Sequence, residues 1–296
     1  MSKFEFKLHH SKGGQHPKQF HSDLKWWALD SPDEGFIISL EKNNQVFAVS
    51  SVLFRLTGFK PNSERVAHFG HHFVAPSMRQ QGVFTDILKY SEELCINHGI
   101  SSILVTPNKQ SEGIYRSHDY NLIDDINSHL YLIDVNKTIP RPSEISQWKI
   151  SGSDYYDSTL GFPKLHQMDK SRFEWRFSHP ETKYLFLSGQ SKNDYFHIAF
   201  RKGKKGPIDV YVIAEIFLNG GKPELGQVAA LVRQCLPEFG VPMYAKVITQ
   251  SFTSNTDDAN ISMYRTFPFA IKHFNSSDPD WVTRLKYYQF SDSDFG

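Results

Sequence analysis

Two strings half a chain apart constrain this sequence most. Trp27 and Pro32 of WWALDSP recur as Trp175 and Pro180 of EWRFSHP, at an offset of 148 in a chain of 296 residues. Each string is followed at the same offset by an apolar run, FIISL from Phe36 and YLFLS from Tyr184. Polar residues (EKNNQ, SKND) and a second apolar run (VFAVSSVLF, YFHIAF) come next, so both copies read as helix end, strand, tight turn, strand. Near the end of each half, Tyr115 and Arg116 of IYRSHDY parallel Tyr264 and Arg265 of MYRTFPF at offset 149. Order and spacing therefore agree at three separated points, which is the signature of a duplicated unit. Each half has the length of a domain able to bury its own core.

The pattern of residues fills in one such unit. Strands are predicted at 36–41 and 45–56, then a long one from Val66 to Val74. Pro76 and the turn RQQG precede an amphipathic helix from Val83 to about Asn97, with Phe84, Ile87, Leu88, Ser91, Leu94 and Cys95 on one face. Gly99 ends it, SILVT is a strand, SEGIYRSH a short helix and HLYLIDV a last strand. The second half repeats the plan: IDVYVIAEIF as the long strand, PELGQVAALVRQCL as the helix, MYAKVIT as a strand and ISMYRTF as the short helix. The segment IPRPSEIS, rich in proline and serine, marks the boundary. The expected fold class is therefore mixed α/β, with domains at 1–140 and 141–296.

Composition narrows the function. With 33 Lys+Arg against 32 Asp+Glu, the chain lacks the strong positive charge that duplex binding calls for, so nucleic acid is not the expected partner. No run approaches a membrane span and the N-terminus lacks a signal-peptide core, which gives the expectation of a cytoplasmic protein. Cys95 and Cys235 lie 140 positions apart in helix-like segments and read as buried reduced thiols. The 24 Phe, 13 Tyr and 5 Trp supply ample core material.

The run FGHHFVAPSMRQQGVFTDIL carries the chemistry. A strand, a glycine-containing turn (Arg79, Gln80, Gln81, Gly82) and a helix start succeed one another directly. Such a succession makes a nest of backbone N–H groups in front of a positive helix end, a natural seat for a pyrophosphate. The same run resembles motif A of the GNAT acyltransferase superfamily, V-x-P-x-x-R-G-x-G-I-G, with Val74, Pro76, Arg79, Gly82 and Val83 at the matching positions. TPNKQSEGIYRSHDY resembles the superfamily's N-x-x-A-x-x-x-Y-x-x-x-G-F, through Asn108, Ser111 and Tyr115. Two departures stand out. The last glycine of motif A is Phe84, whose side chain must turn away from the pyrophosphate, and the final Gly-Phe pair is Asp119-Tyr120.

The resemblance implies a fold, a donor and a set of site residues. Each half would be a GNAT-like domain, a mostly antiparallel mixed sheet flanked by helices. Acetyl-CoA would be the acyl donor, held by Phe73, Val74, Arg79, Gln80, Gln81, Gly82, Val83, Phe84, Thr85, Asn108 and Ser111. A backbone N–H near Phe73 and Val74 would bind the thioester oxygen, and Tyr115 would protonate the departing thiolate. Similar turns, with PN-x-x-S and W-x4-P, occur in bacterial GNAT proteins associated with surface polysaccharides, so the expected acceptor is an amino sugar, free or nucleotide-linked. A peptide or small amine is the alternative acceptor, and a non-catalytic acyl-CoA-binding module the alternative function. The acceptor is expected in the cleft between the halves; a homodimer is left open.

For the base, the strand offers His68, His71 and His72, and imidazole is well matched to proton removal at neutral pH. Regular alternation puts His68, Gly70 and His72 on one face and His71 with Phe69 and Phe73 on the other. His68 falls where superfamily members place a catalytic glutamate, so it is the first choice and His72 the second. The same splitting of imidazoles between faces, without a cysteine or carboxylate partner nearby, argues against a metal site. In the second half, LNGGKPELGQVAAL replaces the R-x-x-G turn, so that half reads as a degenerate copy contributing to the acceptor site. Lys202, Lys204 and Lys205 form the one compact basic cluster, read as a solvated hairpin turn.

Overall fold

The computed structural model describes residues 4–12, 20–56, 64–134, 145–151, 169–191, 194–205, 208–218, 246–251 and 261–274. The chain forms two compact units, each containing segments from both halves of the sequence. The first comprises Met1–Ile126, His166–Trp175 and Phe267–Arg284; the second comprises Asn127–Leu165, Arg176–Thr266 and Leu285–Gly296.

In the first unit, β1 (Lys7–His10) pairs antiparallel with β2 (Glu34–Lys42), β2 with β3 (Gln45–Leu56), and β3 with β4 (Arg65–Val74). The β2–β3 hairpin closes on Asn43 and Asn44, both left-handed at φ 52° and 61°, the two-residue turn whose twist suits adjoining strands. Between β1 and β2 lies α1 (Ser22–Ala28), which buries Leu24, Trp26, Trp27 and Ala28. Its end rests on Gly35, where a Cβ would stand 1.9 Å from the Ala28 carbonyl oxygen, so only glycine fits.

After β4 a 3₁₀ turn (Pro76–Met78) leads to α2 (Val83–Asn97) and then β5 (Ser102–Val105), which runs parallel to β4. The helix has the boundaries and the buried face that its apolar period predicts, with Ile87, Leu88, Ser91, Leu94 and Cys95 inside. Burial holds the Cys95 thiol protonated, with Glu92 adding to the effect. Two apolar layers flank the sheet. Phe36, Ile38, Val52, Ala67 and Phe69 face α2, whereas Ile37, Val49 and Leu53 face α1.

A short helix, α3 (Glu112–Ser117), comes after β5 and leads into β6 (Asn121–Asp134). The second unit contains β7 (Ile145–Ser151), β8 (Tyr184–Ser191), β9 (Asp194–Lys205), β10 (Ile208–Leu218) and β11 (Lys246–Ser251). Helix α4 (Lys170–Phe177) stands between β7 and β8 in the chain as α1 stands between β1 and β2. The pairings repeat as well: three antiparallel ones, β7 to β8, β8 to β9 and β9 to β10, then β10 parallel to β11. The first two anchors of the repeat are thus equivalent in the structure. The second-half helix PELGQVAALVRQCL, with Cys235, lies outside the described residues, as does the boundary segment around IPRP.

The third anchor is not equivalent. Tyr115 and Arg116 lie in α3, while Tyr264 and Arg265 lie in β12 (Ile261–His273), a strand where the sequence pattern predicts a short helix. Pro268 bars a helix through this segment, and its β-branched and aromatic residues suit a strand. The end of β12 pairs antiparallel with β5 in the first unit, from Ala270↔Val105 to His273↔Ser102. Lys272 fixes it there, its ammonium bonding Glu92 Oε2 and the His118 carbonyl at 2.9 Å each. In the second unit the corresponding place, antiparallel beside β11, is taken by residues 129–134 of β6. The last strand of each half therefore completes the sheet built by the other half.

One further device belongs to the first unit. Trp26 and Trp175 stack with ring centroids 4.9 Å apart, and each indole N–H donates to the other's carbonyl, at 3.2 and 2.9 Å. Arg172 bonds the buried Asp33 carboxylate beside them, and Arg55 lies over the Trp175 ring at 5.3 Å.

Candidate active site

The site begins where β4 and β5 part. Their parallel register runs from Val66↔Ser102 to Phe69↔Val105, whereas β4 continues to Val74. On its other edge β4 stays paired, through Val49↔Phe73 and Ala48↔Val74, and the Ala75 N–H donates to the Phe47 carbonyl at 2.8 Å. Alternation along an extended strand then aims the Val74 N–H at the edge that β5 has left.

Directly beyond lies the turn. The Met78 N–H bonds the Ala75 carbonyl at 2.9 Å, Arg79 Nε donates to the Val74 carbonyl at 3.1 Å, and Gln81 Nε2 donates to the Ser77 carbonyl at 2.9 Å. Gln80 and Gly82 are both left-handed, at φ 59° and 85°. No atom lies within 4 Å of a Cβ built on Gly82, so glycine is called for by backbone conformation and not by space. Gly82 is the N-cap of α2, and no side chain caps the helix. The first intrahelical bond is Asp86 N–H to the Gly82 carbonyl at 3.0 Å, so helix geometry leaves the N–H groups of Val83, Phe84 and Thr85 without an intrahelical acceptor. An uncapped positive helix end is thus presented immediately after the unpaired strand edge.

Phe84 turns inward, its ring 5.5 Å from His72 and 6.0 Å from Tyr115. Tyr115 is 1% exposed and stacks edge-on against Tyr120 at 5.0 Å; its hydroxyl has no hydrogen-bond partner among the described residues. Burial, with Glu92 second, raises its pKa far beyond neutrality, so it stays a protonated phenol. Asn108 and Ser111 use their side chains on α3. Asn108 Oδ1 accepts from the N–H groups of Gln110 and Ser111 at 3.0 Å each, and Ser111 Oγ accepts from the Asn108 N–H at 3.1 Å. Thr85 Oγ1 reaches His118 Nε2 at 3.5 Å, tying the first turn of α2 to the end of α3.

The histidines do not sit as regular alternation predicts. Between Val49↔Phe73 and Ser51↔Gly70 the register shifts, so the single residue Ser50 opposes both His71 and His72, and His71 is left-handed at φ 50°. This β-bulge flips the alternation beyond Gly70. His68 and His71 share the Trp27 face, with ring centroids 5.9 and 5.2 Å from that indole. His72 lies on the opposite face with Phe69 (5.9 Å), Phe84 and Tyr115 (6.2 Å). His68 and His72, expected together, are separated by the sheet, and the bulge is the reason. Neither ring nitrogen of His72 has a partner among the described residues, and burial, with His71 adding a little, pushes its pKa down to about 3. His68 is 2% exposed, whereas His71 is exposed and Phe73 is 46% exposed. Among the described residues no three His, Cys, Asp or Glu side chains converge to hold a metal ion.

Sequence reasoning names His71 among the imidazoles of the strand without preferring it, and does not single out for the site Ser51, Trp27, whose buried indole N–H has no acceptor among the described residues, or Thr106, with a buried unpartnered hydroxyl just past the end of β5. Trp27 was visible only as a repeat marker, and nothing local in the sequence signals the bulge.

Comparison with known proteins places this geometry. Residues 4–120 match the Acetyltransferase (GNAT) family. No curated protein sequence matches the chain. Among solved structures, a GCN5-related N-acetyltransferase from Anabaena variabilis is similar over 90% of this chain and 73% of its own, at 11% identity and TM-score 0.62. A probable N-acyltransferase from Enterococcus faecalis is similar over 91% of this chain and 73% of its own, at 9% identity and TM-score 0.58. A tandem GNAT protein from the clavulanic acid biosynthesis pathway is similar over 93% of this chain and 100% of its own, at 12% identity and TM-score 0.56. These likenesses are of fold, and no helix among the described residues is long and apolar enough to cross a membrane. The parted strands, the left-handed glycine and the uncapped helix all fall within residues 4–120, the part of the chain that matches the Acetyltransferase (GNAT) family.

Proposed function

We propose that the chain transfers an acetyl group from acetyl-CoA to the amine of an amino sugar, free or nucleotide-linked, with residues 1–140 carrying the donor. The observation that carries the reading is the uncapped N-terminus of α2, presented by left-handed Gly82 where β4 has lost its parallel partner. There the N–H groups from Gln81 to Thr85 take the pyrophosphate, with Arg79 and Gln80 at the rim, and the pantetheine arm runs along the strand edge of Phe73 and Val74. Asn108 and Ser111 serve by holding α3, and through it Tyr115, in place.

The acceptor nitrogen attacks the thioester carbonyl carbon and the Val74 N–H stabilises the oxyanion. The C–S bond breaks, the Tyr115 hydroxyl protonates the thiolate, and the proton lost by the amine goes to a base and returns to the phenolate through solvent. Burial keeps this phenol protonated at every physiological pH, and its raised pKa makes it a weak acid whose proton moves only as charge develops on the sulfur. The amino-sugar acceptor rests on the resemblance of the RQQGVF turn, PN-x-x-S and W-x4-P to polysaccharide-associated proteins. Residues 141–296, without an R-x-x-G turn, hold no second donor and contribute to recognition of the acceptor. The test is release of free CoA from acetyl-CoA with a panel of amino sugars, peptides and small amines. Turnover confined to peptides or small amines would displace the amino sugar, and binding without turnover would make the chain a carrier of acyl-CoA.

A further inference from the structure

We propose that Lys272 is a positioning residue for Tyr115, its ammonium fixing the end of α3 that follows the phenol and offsetting the negative charge of Glu92; this rests on Tyr115 as proton donor to the departing thiolate. The lysine stands where an apolar side chain is expected. Ile103, Val105 and Ala270 belong to the apolar layer that α2 covers. Lys272 lies opposite Ile103 and two residues from Ala270, so its side chain leaves the sheet on that same face. It is 19% exposed, and its partner Glu92 is 12% exposed. A charge on a core face costs stability unless it is paired, and a pair there is generally no better than apolar residues of the same volume. Its use lies in what it touches.

One contact is mechanical. The ammonium donates to the His118 carbonyl at 2.9 Å, in the turn where the N–H groups of His118 and Tyr120 both bond the Tyr115 carbonyl, at 3.0 and 3.1 Å. A cation at the last carbonyls of a helix is favourably placed. The start of α3 is held by Asn108 and Ser111, and its end by Lys272, which also bonds Glu92 of α2. The phenol is thereby fixed relative to the helix whose N-terminus is proposed to take the pyrophosphate. The other contact is electrostatic. After burial, Glu92 is the cause that raises the pKa of Tyr115, and it acts in the same sense on Tyr120, whose ring stacks edge-on against Tyr115. Lys272 Nζ lies 2.9 Å from Glu92 Oε2 and 5.4 Å from the Tyr120 ring. An opposite charge so close offsets the field of the carboxylate at the phenol, which stays able to release its proton as the sulfur gains charge. Lys272 comes from β12, so the half without an R-x-x-G turn supplies part of the machinery that the donor site uses.

The test reads kcat for CoA release from acetyl-CoA by the full chain. The acceptor is the best among glucosamine, galactosamine and a glycyl tripeptide, or water where none of these is turned over. Lys272→Met should lower kcat by roughly 3- to 30-fold with acetyl-CoA affinity unchanged in calorimetry, and Lys272→Arg, which keeps the cation, should recover most of it. Glu92→Gln keeps an oxygen for Lys272 but deletes the charge, and should raise kcat by about 3-fold or more, which a purely structural role would not do. In a Tyr115→Phe background neither substitution should change kcat further, because both act through the phenol. A wild-type kcat in Lys272→Met, or an equal loss with and without the Tyr115 hydroxyl, overturns the proposal and leaves acetyl transfer standing. So does a kcat that fails to rise in Glu92→Gln, a result that is read even where Lys272→Met loses the native circular dichroism spectrum. An undiminished kcat in Tyr115→Phe removes the proton donor and this proposal with it, and absence of acetyl-CoA binding to the wild type removes acetyl transfer itself.

Discussion

Tyr115→Phe separates stability from catalysis because it deletes one oxygen atom. The side chain is 1% exposed, its ring meets His72, Phe84 and Tyr120, and its hydroxyl has no partner among the described residues. A buried polar group left unpaired costs about 1–3 kcal/mol, so its removal should leave stability unchanged or raise it by about 1 kcal/mol. For domains of this size that is an upward shift of roughly 2–4 °C in Tm. Tyr115→Ala, which deletes the ring as well, should instead cost about 3–5 kcal/mol. In the reaction the Phe variant loses the proton donor, for which about 10²- to 10⁴-fold in kcat is the usual range, or roughly 3–5 kcal/mol of barrier. Thermal melting monitored by circular dichroism, and initial rates of CoA release, read the two effects separately. A fall of several degrees in Tm would show that the hydroxyl is bonded after all; an undiminished kcat would show that the thiolate is protonated from elsewhere.

The same geometry sets three further outcomes. The pKa of His72 in the folded state, about 3, lies below its ordinary 6.5, so the unfolded chain binds the extra proton and stability falls as pH drops from about 6.5 toward 3. The slope should approach 1.4 kcal/mol per pH unit, and His72→Leu should flatten it in denaturant titrations across that window. Gly82→Asp places a β-carbon on a left-handed backbone and a carboxylate before the uncapped helix; acetyl-CoA binding should vanish in calorimetry while circular dichroism keeps the native spectrum. Trp175→Phe removes the indole donor to the Trp26 carbonyl and should cost about 1–3 kcal/mol in chemical denaturation; no change would mean the stacked pair is incidental.

The parts of the fold that were legible in the sequence are those fixed by local chemistry. Val83 to Asn97 is a helix because its apolar residues recur on one face between Gly82 and Gly99, and the two asparagines of EKNNQ demand the turn that joins β2 to β3. The turn before α2 was readable for the same reason, since a glycine between a strand and an amphipathic run marks a left-handed step into the helix. The faces of the histidines were not readable. A bulge at His71 depends on how β3 and β4 are paired, and regular alternation carries no sign of it. The strand at Ile261–His273 was missed because the match of Tyr264-Arg265 to Tyr115-Arg116 outweighed Pro268, a local signal that was present. The exchange of last strands, residues 270–273 beside β5 and 129–134 beside β11, depends on pairings between residues far apart in the sequence.

Titration of the full chain with acetyl-CoA in an isothermal calorimeter tests the central claim most directly, because it asks for the donor site without knowledge of the acceptor. The donor turn after β4 should bind one equivalent per chain with a micromolar Kd, about 8 kcal/mol of binding free energy. Gly82→Asp should lose that heat with its fold intact. No binding, an unchanged affinity in the Gly82 variant, or a second equivalent held by residues 141–296 would contradict the account.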